Sequence, residues 1–415
     1  MLYYVMKWLI LSHSFNMDGR AASLTITDKI PFLLEKGVQP IVISGVQGTP
    51  DTRFPHYKIL PWGPAGFLYD CRYAYPKFVR LCLRFLLLPF LLLEWFFSGL
   101  SNQSSWAIPA AYKGIRLIQA GGGSAEISTM YSTGGAWSAH FAAWMIKKYY
   151  RNRITWIAEI HDPMHLEKKT YRETYAVRTL EGLICRDADH VFWFTKAALA
   201  SARRRHPALK GKGFTIYPGS LPPICRFIKT HEGYTDYLNI THFGILSDDR
   251  SLAPILKHLG EYPQIRIHVY GCQLDQASKK AMLAYGLTDK VIVHGRLETA
   301  EGVSGRERIM DIMKSSDVLL ALHGNHEGCA EYIPSKLYDY FWTDRPLLAL
   351  TYQNPELDSI LQERGAYVCH EESISSVLKD LYRDWQAGQL RQTIYRPVSP
   401  EQAVNTILER LEIKG

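Results

Sequence analysis

The stretch Asp317–Leu350, DVLLALHGNHEGCAEYIPSKLYDYFWTDRPLLAL, decides the fold. It reads as strand, glycine loop, helix, short loop, strand. Asp317–Leu322 is a brief apolar run suited to a buried strand, and Gly324 and Gly328 break it. Pro334 suits the opening of a helix in which Leu337, Tyr340 and Phe341 recur at helical spacing, and Arg345-Pro346 closes it before Leu347–Leu350. A loop that leaves a strand and enters a helix is where α/β folds bind anions, because backbone N–H groups and the helix dipole converge there. Glu331 and Asp339 stand eight residues apart, close to a whole number of helical turns, so both carboxylates are expected on the same side of that loop. With the helix opening at Pro334 after Ile333, no usual capping residue precedes it. Its first N–H groups then need an acceptor, either Glu331 folding back or a bound phosphate.

A chain of 415 residues exceeds one compact core and suits two domains. Hydrophobic residues make up 47% and charged residues 21%, a globular composition that excludes disorder and low-complexity classes. No repeat of solenoid length is present. A formal charge of +8 favours an anionic partner, and phosphates, nucleic acid and acidic lipid all fit the charge alone. The seven cysteines are scattered without a C-x-x-C pair, which reads as buried thiols in a reducing compartment. MLYYVMKWLILSHS at the start is apolar but lacks a basic region and cleavage site, so it reads as the first strand rather than a signal peptide.

The first half opens as a βαβ unit. Leu2–Leu11 is a strand covered on both faces, a helix runs from about Leu24 to Lys36, and QPIVISG is the second strand. Between them, Asn16–Ala22 occupies a phosphate-loop position, where Gly19 permits close backbone approach and Arg20 adds a cation; a sharp turn needing glycine is the plain alternative. Residues 76–100, PKFVRLCLRFLLLPFLLLEWFFSGL, are the most hydrophobic piece, yet Arg84, Pro89 and Glu94 interrupt them. A spanning helix wants about 20 apolar residues without central charges, so this is read as a buried helix or as an amphipathic helix in a membrane interface, the latter favoured by flanking Lys77, Arg80, Arg84 and Trp95. Further helices are expected over Ser104–Ala120, after Gly134-Gly135, and over Leu180–Asp189. Arg153–Ile160 is a strand ending at HDPMH. Asp187-Ala188-Asp189 is formally a D-x-D motif, but it precedes a strand, so it reads as a solvated turn without metal. Arg203–Arg205 reads as a solvated basic helix end, with anionic lipid as the sharper alternative. His161 and His165 lack a third ligand nearby, and His323, His326, Glu327 and Cys329 match no zinc spacing, so no metal site is expected.

From Asn239 the strand–helix alternation restarts, implying a second parallel sheet with helices on both faces. The polar run Lys229–Tyr237 reads as the linker.

Glu331–Asp339 resembles the E-x7-E element of retaining glycosyltransferases of family 4, with the second glutamate shortened to aspartate. ITWIAEIHDP (Ile154–Pro163) resembles the family's histidine-aspartate element at the end of a first-domain strand. HFGILSDDR (His242–Arg250) is similar to the family's diphosphate-binding element: Gly244 and Leu246 match, Arg250 stands for the lysine, and Ile245 replaces the arginine. The resemblance spans nearly the whole chain and is firmest in the second half. It implies a GT-B fold of two Rossmann-like doubly wound parallel-sheet domains facing a cleft. The first, 1–230, would bind the acceptor, the second, 238–398, the nucleotide sugar, and 399–415 would return as a helix onto the first.

By the same resemblance, His161 and Glu331 would face the donor sugar and Asp339 the ribose. Arg250 would hold the diphosphate, with Lys336 supplying the missing cation, and Gly244, Gly271, His294 and Gly295 would line the donor. Gly19 and Arg20 would lie in the acceptor or phosphate loop. The implied activity is transfer of a sugar with retention from a nucleotide diphosphate sugar, a co-substrate needing no cofactor, to a glycan or lipid-linked acceptor. The implied place is the cytoplasm, peripheral on the inner face of the membrane, with no nucleic acid partner. A sugar-nucleotide epimerase or phosphorylase of the same fold, and a catalytically silent membrane-associated module, are the alternatives.

Overall fold

The computed structural model describes residues 6–17, 20–70, 75–98, 104–120, 127–134, 137–161, 171–222, 236–271, 273–297 and 303–412. The chain divides into two compact units, Met1–Pro218 with Pro400–Gly415, and Gly219–Ser399.

The first unit holds strands β1 (Met6–Ser12), β2 (Val38–Ser44), β3 (His56–Lys58), β4 (Ile127–Gly134), β5 (Thr155–Ile160), β6 (His190–Trp193) and β7 (Gly213–Thr215). They pair in the parallel order β3-β2-β1-β4-β5-β6-β7. Its helices are α1 (Ala21–Thr27), α2 (Ile30–Glu35), α3 (Pro64–Asp70), α4 (Lys77–Leu86), α5 (Leu88–Ser98), α6 (Ala107–Ala120), α7 (Trp137–Tyr150), α8 (Tyr171–Asp187) and α9 (Lys196–Arg205). Because strand side chains alternate, β1 feeds two cores. Leu9 and Leu11 join Ala110, Ala142 and Ile146 of α6 and α7 on one face. Trp8 and Ile10 join Ile26, Ile30 and Leu33 on the other.

The single helix expected over Leu24–Lys36 is two. Pro31 stands at the second position of α2 and cannot supply a mid-helix N–H, so the chain breaks at Asp28-Lys29 and turns Lys29 inward. Helix α8 begins at Tyr171, earlier than the apolar run at Leu180.

Two further expectations are corrected. Asp187-Ala188-Asp189 is a fastening rather than a solvated turn. Asp187 accepts from Trp144 Nε1 at 2.9 Å and pairs with Lys148 at 2.9 Å, and Asp189 accepts from Lys147 and the Trp156 N–H, each at 2.7 Å. These bonds tie α7 and β5 to the start of β6. The basic end of α9 is also partly drawn in, since Arg205 pairs at 2.6 Å with Glu181, whose buried carboxylate also meets His206 at 3.1 Å.

Residues 77–98 form two helices, because Pro89 at the second position of α5 separates it from α4 at Leu87. The buried-helix reading fails: α4 buries none of its residues. Cys82 on α4 is exposed, against the expectation of buried thiols, while Cys185, Cys329 and Cys369 are buried. Among the described residues, no helix is long and apolar enough to cross a membrane.

The second unit holds β8 (Leu238–Phe243), β9 (Ile265–Tyr270), β10 (Val291–Gly295), β11 (Val318–Leu322), β12 (Leu347–Leu350) and β13 (Tyr367–Cys369), parallel in the order β10-β9-β8-β11-β12-β13. Its helices are α10 (Ala253–Leu259), α11 (Gln276–Ala284), α12 (Gly305–Ser315), α13 (Lys336–Tyr340), α14 (Pro355–Gln362) and α15 (Ile374–Gln386). Local punctuation sets their starts: Asp275 caps α11, Ser304 and Glu307 form a capping box on α12, and Asn354 caps α14. Helix α13 opens at Lys336, later than Pro334, because the chain first makes a tight turn in which the Leu337 N–H donates to the Pro334 carbonyl at 3.0 Å. Ser335 is its cap residue, and its side chain makes no cap bond. The terminal helix α16 (Pro400–Glu412) places Ala403, Val404 and Ile407 in the first unit's core beside Trp8 and Ile10.

Candidate functional site

Both sheets reverse strand order beside a central strand, at β1/β4 and at β8/β11. Ligands of open α/β sheets bind outside the carboxyl ends of strands at such switch points.

In the second unit, the loops that leave β8 and β11 carry most of the residues singled out in the sequence. Gly244, Gly271 and Gly295 stand in a row at the ends of β8, β9 and β10, all with positive φ, +139°, +100° and +73°. The Gly244 N–H donates to the Tyr270 carbonyl at 3.0 Å, and the Gly271 N–H to the Gly295 carbonyl at 2.7 Å. A Cβ on Gly271 would come within 3.3 Å of the Gly244 backbone. Side chains are thereby kept off this rim. His294 turns from the rim: it stacks on Tyr270 at 4.2 Å and lies 2.9 Å from His268 Nδ1.

Arg250 is held by a tight pairing with Ser247 and donates to the Tyr332 hydroxyl at 2.8 Å. Tyr332, which sequence reasoning missed, is the hub of the loop. Its hydroxyl also accepts from the Gly324 N–H at 3.3 Å, and its carbonyl accepts from Asn354 Nδ2 at 2.8 Å and from His323 Nε2 at 3.2 Å. A Cβ on Gly324 would meet Cys329 Sγ at 2.7 Å, so this glycine is required by close packing. Glu331, half-buried, closes the short turn Glu327–Glu331 immediately before the hub. Ile245, in place of an arginine, is 70% exposed.

Lys336 and Asp339 are brought together, Nζ to Oδ2 at 3.0 Å, and Arg306 at the start of α12 stands 3.8 Å from the other carboxylate oxygen. Arg306 carried no signal in the sequence, since it lies 33 residues from Asp339 on another helix. Beneath these groups lies buried His242, whose Nδ1 donates to the Leu320 carbonyl at 3.1 Å. Burial pushes its pKa down to about 4, and the charges of Arg250 and Lys336 add to the effect. The switch point therefore gathers three cations and two carboxylates around loops whose backbone is fixed by hydrogen bonds.

In the first unit, His161 follows β5 as expected, and its surroundings were not foreseen. Glu159, on the same strand and fully buried, pairs with fully buried Lys29 at 2.7 Å. It accepts from the Tyr131 hydroxyl at 2.5 Å and the Thr133 hydroxyl at 2.8 Å. His161 Nε2 lies 3.0 Å from Glu159 Oε1 and 2.9 Å from Thr133 Oγ1, with the ring stacked on Phe194 at 4.6 Å. A carboxylate only accepts, so Nε2 carries the proton. Burial opposes the charge on Glu159, but the Lys29 ammonium and the His161 ring beside it hold its carboxyl well below the usual carboxylate range.

Arg20 sits just ahead of α1 with its carbonyl accepting from the Ser23 and Leu24 N–H groups. The neighbouring turn is packed by Gly48, where a Cβ would fall 1.8 Å from the Phe15 carbonyl oxygen. Gly19, His165 and most of the expected linker lie outside the described residues.

Three buried histidines, His140 in the first unit and His242 and His323 in the second, are each pushed down to about 4 by burial. A depressed histidine pKa leaves the folded ring neutral while the unfolded chain binds the proton, so stability is present above about 6.5 and lost as pH falls toward 4. Each ring is expected to add about 1.4 kcal/mol per pH unit to that slope. Denaturant unfolding across this range should show the slope flattening by one proton in His323→Gln; an unaltered slope would refute the burial of a neutral ring there.

The paired strand orders define the class: two Rossmann-like parallel-sheet domains, the GT-B fold. Solved structures agree. TarM matches over 98% of this chain and 99% of that one, with a TM-score of 0.66 and 9% identity. A mutant of S. aureus TarM in complex with UDP matches over 76% of this chain and 59% of that one, with a TM-score of 0.51 and 13% identity. A glycosyltransferase from Rickettsia africae matches over 99% and 100%, with a TM-score of 0.61 and 11% identity. The catalytic domain of starch synthase IV from Arabidopsis thaliana, bound to ADP and acarbose, matches over 99% of each chain, with a TM-score of 0.61 and 10% identity. At these identities the likeness establishes the shared fold. No protein-family model matches the chain, and no curated protein sequence matches it.

Proposed function

We propose that this chain is a retaining glycosyltransferase of the family 4, E-x7-E type, transferring a sugar from a nucleoside diphosphate donor to a glycan or lipid-linked acceptor at the cytoplasmic face of a membrane. The observation that carries the reading is the cluster of Arg250, Lys336 and Arg306 around Asp339 and the Glu331 loop, at the switch point of the second unit. A diphosphate needs fixed, partly desolvated cations, and a guanidinium supplies paired donors. In this reading the second unit binds the donor and the first the acceptor. Arg250 and Lys336 offset the diphosphate charge, Asp339 accepts from the ribose hydroxyls, and Glu331 and His161 act on the donor sugar. In transfer, the bond between the anomeric carbon and the diphosphate oxygen breaks, the acceptor oxygen bonds the same face of that carbon, and the acceptor proton leaves with the diphosphate. The protein's contribution is positioning and electrostatic stabilisation of the departing charge.

Calorimetric titration with UDP and ADP tests the reading. The protein is expected to bind at least one of them, and Arg250→Ala to weaken it about tenfold or more, the scale of a lost charged hydrogen bond. Release of nucleoside diphosphate from a sugar donor should require an acceptor. Release without one, accompanied by an epimerised sugar, would replace transferase with epimerase, and no nucleotide binding would leave a catalytically silent module.

A further inference from the structure

The least expected surface of the molecule is the pair α4–α5. Phe78, Phe85 and Leu86 on α4 are 75%, 69% and 74% exposed, and Phe90 on α5 is 59% exposed. The two helices differ in a way that identifies what covers them. On α4, Phe78, Leu81, Phe85 and Leu86 recur at helical spacing along one stripe, while Lys77, Arg80 and Arg84 lie around the other side. On α5, exposed Leu88, Phe90, Leu92, Leu93, Trp95 and Phe96 are spread around most of the circumference. A folded partner covers one stripe of a helix, whereas a fluid acyl phase covers every side of it.

The acid of this pair is withdrawn from that surface. Glu94 accepts from the Ala65 N–H at the start of α3 at 2.8 Å, and Gly63 has no room for a Cβ because the Glu94 carboxylate would be 2.4 Å away. What remains outward is apolar and cationic. Exposed Trp62, next to Gly63 and just ahead of α3, adds an amphipathic ring beside this pair, as Trp95 does on α5; such rings settle at headgroup level.

We propose that α4 and α5 form a docking face for an anionic bilayer, with α4 lying flat, its phenylalanines below the headgroups and its cations among them, and α5 immersed beside it. Burial in the acyl boundary supplies the attachment and Lys77, Arg80 and Arg84 supply the lipid preference. The net charge of +8 acts in the same direction. The inference rests on the transferase reading only for its consequence, that the acceptor is presented by the bilayer; binding itself does not depend on it.

Vesicle flotation of the full chain provides the test, using phosphatidylcholine alone and phosphatidylcholine with one third phosphatidylglycerol. The wild-type chain is expected to float with the anionic vesicles. Phe85→Asp with Phe90→Asp should lower the bound fraction by at least about tenfold, since each removes a buried aromatic group. Lys77→Glu with Arg84→Glu should abolish the preference for phosphatidylglycerol, a loss of about tenfold or more at roughly 1 kcal/mol per basic residue. All four side chains are exposed, so the thermal midpoint should stay unchanged. The proposal is overturned if the wild-type chain stays with neither vesicle, or if both double variants float as it does. It is equally overturned if the wild-type chain is a dimer that Phe85→Asp with Phe90→Asp dissociates without any vesicle binding, which would make the face a contact between copies. Titration of the same variants with UDP and ADP separates this outcome from failure of the transferase reading, because nucleotide binding should survive the loss of vesicle binding.

Discussion

Glu331→Gln is expected to lower the rate of sugar transfer by about 10²–10³-fold, the cost of removing one preorganised charged group from a transition state, while nucleoside diphosphate affinity stays within a few-fold. The asymmetry follows from where the residue sits. Glu331 ends the turn Glu327–Glu331, the loop is also held through Tyr332, Asn354 and Gly324, and glutamine keeps the shape of the side chain. In the proposed reading the diphosphate role belongs to Arg250 and Lys336. Loss of transfer with intact UDP or ADP binding and an unchanged thermal midpoint is the expected triad of results. An unaltered turnover rate would remove Glu331 from the site, and a parallel loss of nucleotide affinity would reassign it to donor binding.

Much of the fold around the candidate site was legible because the chain writes its strand ends plainly. Apolar runs such as Trp8–Leu11 and Val318–Leu322 are covered on both faces, so they show as uninterrupted hydrophobic stretches, and the glycines that follow mark where the backbone must turn. Gly244, Gly271 and Gly295 each follow such a run, and the resemblance added the donor role expected of them. What escaped reading is what depends on distance. Lys29 and Glu159 are separated by 130 residues, and each alone looks like a surface charge. Arg306 reaches Asp339 from the start of α12, and Asp339 stands on α13, on the far side of β11 in the chain. Tyr332 looks like an unremarkable aromatic until four backbone and side-chain groups converge on it. Lys336, expected from the resemblance to supply the missing cation, is held in an i, i+3 pair with Asp339, so in the proposed reading it would meet a diphosphate only together with the carboxylate beside it. The exposed face of α4 and α5 was half-legible: hydrophobicity was plain, but core and surface are both hydrophobic in sequence, and only the structure separates them.

Glu159→Gln is expected to destabilise the first unit by about 3–5 kcal/mol, because it strands a buried lysine without its counter-charge. Glutamine keeps the shape; its one oxygen accepts from the Tyr131 or the Thr133 hydroxyl and its amide N–H donates to the other, so the main loss is the charge. Lys29 has 0% side-chain exposure and, among the described residues, keeps the Thr25 carbonyl, 3.2 Å from Nζ, and the Phe194 ring, 5.6 Å away. Adding Lys29→Met should recover most of the stability, since an apolar replacement of a buried pair is often neutral. Activity should not return with it. His161 Nε2 faces Glu159 Oε1 at 3.0 Å, and a neutral amide no longer obliges that nitrogen to carry the proton, so the tautomer presented by Nδ1 is freed. The pH dependence has a definite sign. The Glu159 carboxyl is depressed in the fold, so its stabilisation is present above the ordinary carboxylate range near 4 and is lost as pH falls below it. The double variant should therefore lack that part of the acid transition. Chemical denaturation of the three proteins, paired with transfer assays, separates the two roles. Recovery of stability without activity assigns Glu159 to positioning His161, and recovery of both would leave the pair a structural element alone.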